Sequence, residues 1–296
     1  MSFNFKIFDA KIMPILSYGA EIWGLKRYND IEKVQLKACK KFLCVKYNTT
    51  NVMIYGECGR YPMYVFTSVK VIRYSLKLLE MPAHRLPKKC DNMLMVYDKN
   101  GHTNWVTSVR KFLFSNGFGF VWNNQSVGSN EMFIRQLTER LKDIYLQEWL
   151  EKISLSSKCM FYKMFKCALD PETYLSCVNV KKFRIALSKL RCSAHDLFIE
   201  SGRFKAVEKE NRICRLCDLN VLEDEYHFVL ICPIYNSLRK VYIKRYYYQH
   251  PNQYTFAALV NSRNHTTLRN LAMFVYYAMI LRKGYMSEHN IKYECD

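Results

Sequence analysis

DIEKVQLKACKKFLCVK (30–46) places Ile31, Val34, Ala38, Phe42 and Val45 three or four residues apart, with Lys33, Lys37, Lys40 and Lys41 following the same period around another face. That spacing is the stripe of a 3.6-residue helix, so the segment predicts an amphipathic helix with a basic side. MYVFTSVKVIRYSLKLL (63–79) repeats the plan, with Lys70, Arg73 and Lys77 in one row and Pro82 closing it. Between the two, GECGRYP (56–62) reads as a Gly-rich turn. Helical patterns recur over 104–115, 130–152, 157–167 and 180–192, and LRNLAMFVYYAMILRK (268–283) is apolar on nearly every side, as in a buried helix. Only 10 Gly and 7 Pro punctuate 296 residues, so the fold class is mainly α.

Two segments break the pattern. AHRLPKKCDNMLMVYDKNG (83–101) mixes Pro, Lys and polar residues and predicts a connection, with a soft boundary near 100 between a 1–100 region and a 101–296 region. NGFGFVWNNQSVGSN (116–130) predicts a loop whose Phe118, Phe120 and Trp122 either stack on bases or plug a gap between helices.

Lys plus Arg number 45 against 26 Asp plus Glu, a formal charge of +19. The excess is greatest in residues 1–100, which hold 17 basic and 8 acidic side chains against 14 and 9 in each later third. Such a balance favours a polyanionic partner, nucleic acid ahead of a membrane surface. The longest strongly apolar run, NLAMFVYYAMIL (270–281), has twelve residues, where a membrane span needs about 20. The start MSFNFKIFDAK lacks the parts of a secretion signal. Twelve Cys in so long a chain fall short of a disulfide scaffold and suit a reducing, intracellular compartment, nuclear or cytoplasmic. Cys39, Cys44, Cys58, Cys159, Cys167 and Cys177 read as small core side chains.

The chemically informative stretch is NRICRLCDLNVLEDEYHFVLICPIYNSLRK (211–240), inside a module of about 203–248. Cys214, Cys217, His227 and Cys232 are spaced C-x2-C-x9-H-x4-C. Three thiolates and one imidazole suit tetrahedral Zn2+, and four protein ligands leave no position for a reacting water, so the expected zinc is structural. Pro233 should hold Cys232 extended and start a helix over 234–248. That helix would carry Arg239, Lys240, Lys244 and Arg245 beside the metal. The acidic LEDE (222–225) reads as a solvated helix start, and His195, with Ser193, Asp196 and Glu200 nearby, as a structural polar residue rather than a catalytic one.

Three blocks resemble the C-terminal portion of the reverse transcriptase of non-LTR (LINE-type) retrotransposons. FDAKIMPILSYGAEIWG (8–24) with IEKVQLKACKKFL (31–43) is similar to the start of the thumb, and GECGRYPMYVFTSVKVIRYSLKLLEMP (56–82) to the block that follows. LRCSAHDLFIESGRF (190–204), leading into the Cys/Cys/His/Cys segment, resembles the terminal zinc-knuckle region. The resemblance implies a helical thumb over 1–100, then a helical connector and a knuckle whose ligands are Cys214, Cys217, His227 and Cys232. It also implies RNA or DNA as partner, together with the polymerase portion that precedes the thumb in the family. No Asp-Asp dipeptide occurs in the chain, so the palm carboxylates needed for two-metal nucleotidyl transfer are absent and no independent polymerase activity is expected. Lys33, Lys37, Lys40, Lys41, Lys70, Arg73, Lys77, Arg239, Lys240, Lys244 and Arg245 are the expected phosphate contacts. The competing reading is a helical adaptor with a purely structural zinc site, whose basic faces meet an acidic protein.

Overall fold

The computed structural model describes residues 3–291. Residues 1, 2 and 292–296, the outer ends of the two expected regions, lie outside the described residues. Eighteen α-helical segments, five short 3-10 or π segments and a single antiparallel bridge, Ile213 with Leu222, make up the regular structure among the described residues. The mainly α expectation therefore holds. No helix among them is long and apolar enough to cross a membrane.

The amphipathic segments at 30–46 and 63–79 form helices Asn29–Leu43 and Met63–Glu80. Trp105–Ser115, Asn130–Leu155, Lys181–Arg191 and His265–Glu288 likewise match periodic stretches. Four expectations change. Residues 116–130, expected as a loop, contain the short helix Gly119–Asn124. Residues 83–101, expected as a connection, contain the helix Leu86–Lys99, started by a proline in its first turn, where the missing N–H removes no helical bond. The expected 157–167 helix is broken into Ser157–Cys159 and Tyr162–Phe165. The expected 234–248 helix is a Pro233–Tyr235 turn, Asn236–Tyr242 and Arg245–Gln249, interrupted where the buried Ile243 turns extended.

The described chain divides into two compact units, 3–36 with 61–149 and 37–60 with 150–291. This departs from the boundary expected near residue 100, because residues 1–100 contribute to both. The first unit is built on Val65, Val71, Ile72, Leu76, Val109, Phe112, Leu113, Phe133, Leu137 and Leu141. Each such side chain contributes about 1.5–3 kcal/mol when fully buried, an upper estimate against an extended chain. Phe118 packs edge-on against Phe133 at 5.2 Å, and Trp122 also packs on this core, so these two aromatics fill an interhelical gap while Phe120 stays exposed. Gly24 lies against the 63–80 helix: a Cβ there would stand 2.6 Å from the Thr67 carbonyl oxygen. Asp98 in the last turn of Leu86–Lys99 receives Arg110 Nε and Nη2 (3.1 and 3.0 Å) and the Thr107 hydroxyl (2.6 Å).

The second unit centres on His265–Glu288, which buries Leu268, Leu271, Ala272, Phe274, Val275 and Ala278 along one face and packs against Lys181–Arg191. Met53, Ile54, Glu57 and Cys58 of helix Asn51–Cys58 are buried here, which explains why 37–60 belongs with the later chain. Glu57 accepts two bonds from Arg191 (2.8 and 3.1 Å), whose guanidinium also meets Glu172 at 2.7 Å and the Val260 carbonyl at 2.7 Å. Burial pushes the Glu57 carboxyl up and Arg191 pulls it back. The turn expected over 56–62 begins only at Gly59, whose φ is +59° and whose missing side chain leaves room for Pro171. Of the six cysteines expected in the core, Cys39, Cys58, Cys159 and Cys177 are buried, Cys44 is half-buried and Cys167 is exposed.

Candidate metal centre and nucleic-acid interface

The four predicted ligands converge. One ligand atom from each of Cys214, Cys217, His227 and Cys232 lies within 4.8 Å of all the others, forming a group that can hold a metal ion. Two local structures bring this about. Cys214 N donates to Val221 O (2.8 Å) and Glu223 N to Arg212 O (2.9 Å), so residues 212–223 form a small antiparallel ribbon with Cys214 and Cys217 in its turn. His227 and Cys232 are five apart, which on an α-helix would set them about 140° from each other. Instead His227–Ile231 is a single π turn, closed by Cys232 N donating to His227 O at 2.8 Å, and its wider pitch returns residue i+5 to the side of residue i. Cys232 then adopts φ −54°, ψ 121°, the extended conformation that Pro233 imposes.

The spacing of the donors suits a tetrahedral ion. Metal–sulfur and metal–nitrogen bonds of about 2.3 and 2.0–2.1 Å give tetrahedral edges of roughly 3.5–3.8 Å. The Cys217 sulfur and His227 Nε2 stand 3.5 Å apart. The Cys214 thiol is pushed up by its hydrogen bond to Cys232 and by burial, and the Cys217 thiol by burial. Backbone N–H groups oppose this: Leu216 donates to the Cys214 sulfur and Leu219 to the Cys217 sulfur, each two residues on, favouring the thiolates. Thiols packed this closely favour their protonated forms until a cation arrives, which reverses the balance.

The acidic run, expected as a solvated helix start, is instead buried: Glu223, Asp224 and Glu225 are 1%, 8% and 5% exposed. Each carboxylate has its own task. Glu223 takes two bonds from Arg282 of the His265–Glu288 helix (2.6 and 2.9 Å) and one from Phe198 N (2.8 Å). Asp224 accepts His227 N at 2.8 Å, fixing the entry to the π turn, and burial lifts its pKa to about 6. Glu225 accepts the Ser193 hydroxyl at 2.9 Å and lies 2.9 Å from His195 Nε2. Leu197 N donates to His195 Nδ1, which places the ring proton on Nε2, directed at Glu225. Ser193 and His195 thus both address one carboxylate oxygen rather than each other.

Arg239 also differs from expectation. It was expected at a phosphate, yet it is 2% exposed and donates to the carbonyls of Val229 and Cys232 (both 2.9 Å) and to Asn236 Oδ1. It braces the metal loop from behind. The remaining expected contacts fall into two groups. Lys33 pairs with Asp30 (2.9 Å), Lys40 donates to Tyr47 O (2.6 Å), and Lys70 donates to Ser17 O and Oγ (3.1 and 2.9 Å), so these three are engaged within the protein. Lys37, Lys41, Arg73, Lys77, Lys240, Lys244 and Arg245 are exposed and have no ion-pair partner among the described residues.

Sequence signals for the missed residues exist. Tyr235, Arg239 and Ile243 recur every four residues and are all buried, as are Leu271, Val275, Ala278 and Arg282 at helical spacing. An arginine in line with an apolar stripe belongs to the buried face. No protein-family model matches the sequence, and comparisons with curated proteins and with solved structures gave no match.

Proposed function

We propose that this chain binds the phosphate backbone of RNA or DNA as the thumb-and-knuckle portion of a LINE-type reverse transcriptase, with Cys214, Cys217, His227 and Cys232 holding a structural Zn2+. The observation that carries the reading is the set of seven expected phosphate contacts that lie exposed without an ion-pair partner among the described residues, on a chain of charge +19. Exposed cations without internal partners are what backbone binding uses, and they confer affinity without sequence preference. The zinc assignment rests on three sulfurs and one imidazole whose donor atoms lie within 4.8 Å of one another, with Cys217 Sγ and His227 Nε2 at 3.5 Å. All four positions are protein donors, so the ion would tie the ribbon to the π turn rather than activate water.

The test is a gel-shift titration at several salt concentrations. Binding to duplex DNA should weaken with salt, log K falling by about 0.9 per neutralised phosphate for each decade. Lys37→Glu with Lys41→Glu should weaken all sequences alike and flatten the slope by about two such contacts. Absence of binding at low salt would reject the reading in favour of an acidic protein partner. Purified protein containing under about half an equivalent of zinc would reject the metal assignment.

A further inference from the structure

The second unit contains a cleft that the basic helices and the metal cluster leave unused. It lies between Lys181–Arg191 and His265–Glu288, has a volume of about 300 Å3, and is floored by Ile185, Ala186 and Met279 beside the ring of Tyr276. Three lysines, Lys182, Lys189 and Lys283, line it. The Lys182 ammonium lies over the Tyr276 ring, 5.0 Å from its centroid, and Phe183 meets the same ring edge-on at 5.2 Å, so a base stacking there takes the place of this ammonium, which swings out to the phosphate. Neither Lys189 nor Lys283 has an ion-pair partner among the described residues. Asp196, the carboxylate of the lining, is held by Lys46 at 2.8 Å, so the rim keeps a positive balance.

We propose that this cleft receives one unstacked nucleotide of a single-stranded RNA or DNA, its base against Tyr276 and the apolar floor and its flanking phosphates on Lys182, Lys189 and Lys283. This rests on the nucleic-acid reading above and names a site within it. An aromatic face recessed beside several ammonium groups is the combination that binds single strands without reading sequence. A paired base keeps its faces inside the duplex stack and offers none to the Tyr276 ring, so the site discriminates strand state. A fatty acid would need one cation at the mouth of a closed apolar channel, whereas here the charges are distributed around an open cleft. The volume lies at the lower end of small-ligand sites and suits one nucleoside.

The test uses the full chain and fluorescence anisotropy of labelled ten-residue oligo(dT), oligo(U) and a duplex of equal length. Tyr276→Leu keeps apolar bulk but removes the π-face. It should weaken both single strands roughly five- to hundredfold and leave duplex affinity unchanged. Lys189→Glu with Lys283→Glu, the first half-buried and the second exposed, should lower the single-strand salt slope by about 1.4, at 0.7 per phosphate, in protein whose helical circular dichroism matches wild type. Single-strand affinity within threefold of wild type in both variants overturns the inference. The failures are distinguishable. If the wild type binds no nucleic acid, both readings fall. If binding persists in the cleft variants and is lost in Lys37→Glu/Lys41→Glu, only the cleft assignment falls.

Discussion

Replacing Arg239 by Met separates the buried arginine from the surface cations beside it. The guanidinium donates to the carbonyls of Val229 and Cys232, one inside the π turn and one on a candidate metal ligand. Burial lowers its pKa to about 10, so it remains charged at neutral pH. Methionine fills much of the same space but donates nothing. Val229 O loses its side-chain donor, at about 1–3 kcal/mol, while Cys232 O keeps the longer bond from Tyr235 N (3.3 Å) and loses less. Removing a desolvated charge returns part of that, leaving a net loss of about 1–3 kcal/mol. On the proposed zinc reading the module folds around its ion, so this loss should appear as a zinc Kd weakened roughly 5- to 150-fold. Competition against a chromophoric chelator measures it directly. Lys240→Glu, one residue on and exposed, should lower nucleic-acid affinity and leave zinc retention unchanged. The reasoning fails if Arg239→Met holds zinc within threefold of wild type and loses nucleic-acid affinity as Lys240→Glu does.

Cys217→Ser should abolish stoichiometric zinc and lower the melting temperature, while adding a chelator to wild type should reproduce the same shift. Gly59→Ala should destabilise by about 2–5 kcal/mol, from a left-handed φ and a clash with Pro171, seen as an earlier midpoint in urea. Asp98 provides a pH test. The Arg110 and Thr107 bonds hold its carboxyl below the ordinary aspartate value, so the ionised form is favoured in the folded state. Its contribution is therefore complete above the unfolded value, near pH 4, and is lost as pH falls through the depressed folded value. The stability gap between wild type and Asp98→Asn should be present at pH 7 and shrink toward zero near pH 2; an unchanged gap would contradict the ion pair.

The parts of this molecule legible in sequence are those that depend on spacing along the chain. The helices at 29–43, 63–80 and 265–288 follow from three-and-four periodicity, and the ligand set from C-x2-C and H-x4-C. What stayed hidden depends on partners far away in sequence. Glu223 looks like a solvated helix-start acid until Arg282, 59 residues on, closes on it. Glu57 and Arg191 are 134 residues apart, and neither announces the other. That pairing draws 37–60 toward the later chain, which no change in composition near residue 100 could show. The Leu86–Lys99 helix escaped because Pro87 and the polar run after it read as a connection, and its apolar residues fall together at Met93–Tyr97 rather than recurring along the segment. Lys40 and Lys70 sit on basic faces in projection, but backbone and hydroxyl oxygens occupy their ammonium groups.

The π turn between His227 and Cys232 also sets how the knuckle tolerates changes in length. Deleting one of the four intervening residues would leave an H-x3-C segment, which an ordinary α turn already places on one side. Such a deletion need only relax the backbone, so the metal can survive a shortening. An added residue has no such alternative: a sixth step overshoots both kinds of turn and swings Cys232 away from Cys214 and Cys217. Length variation at this point should therefore run in one direction, toward the shorter spacing.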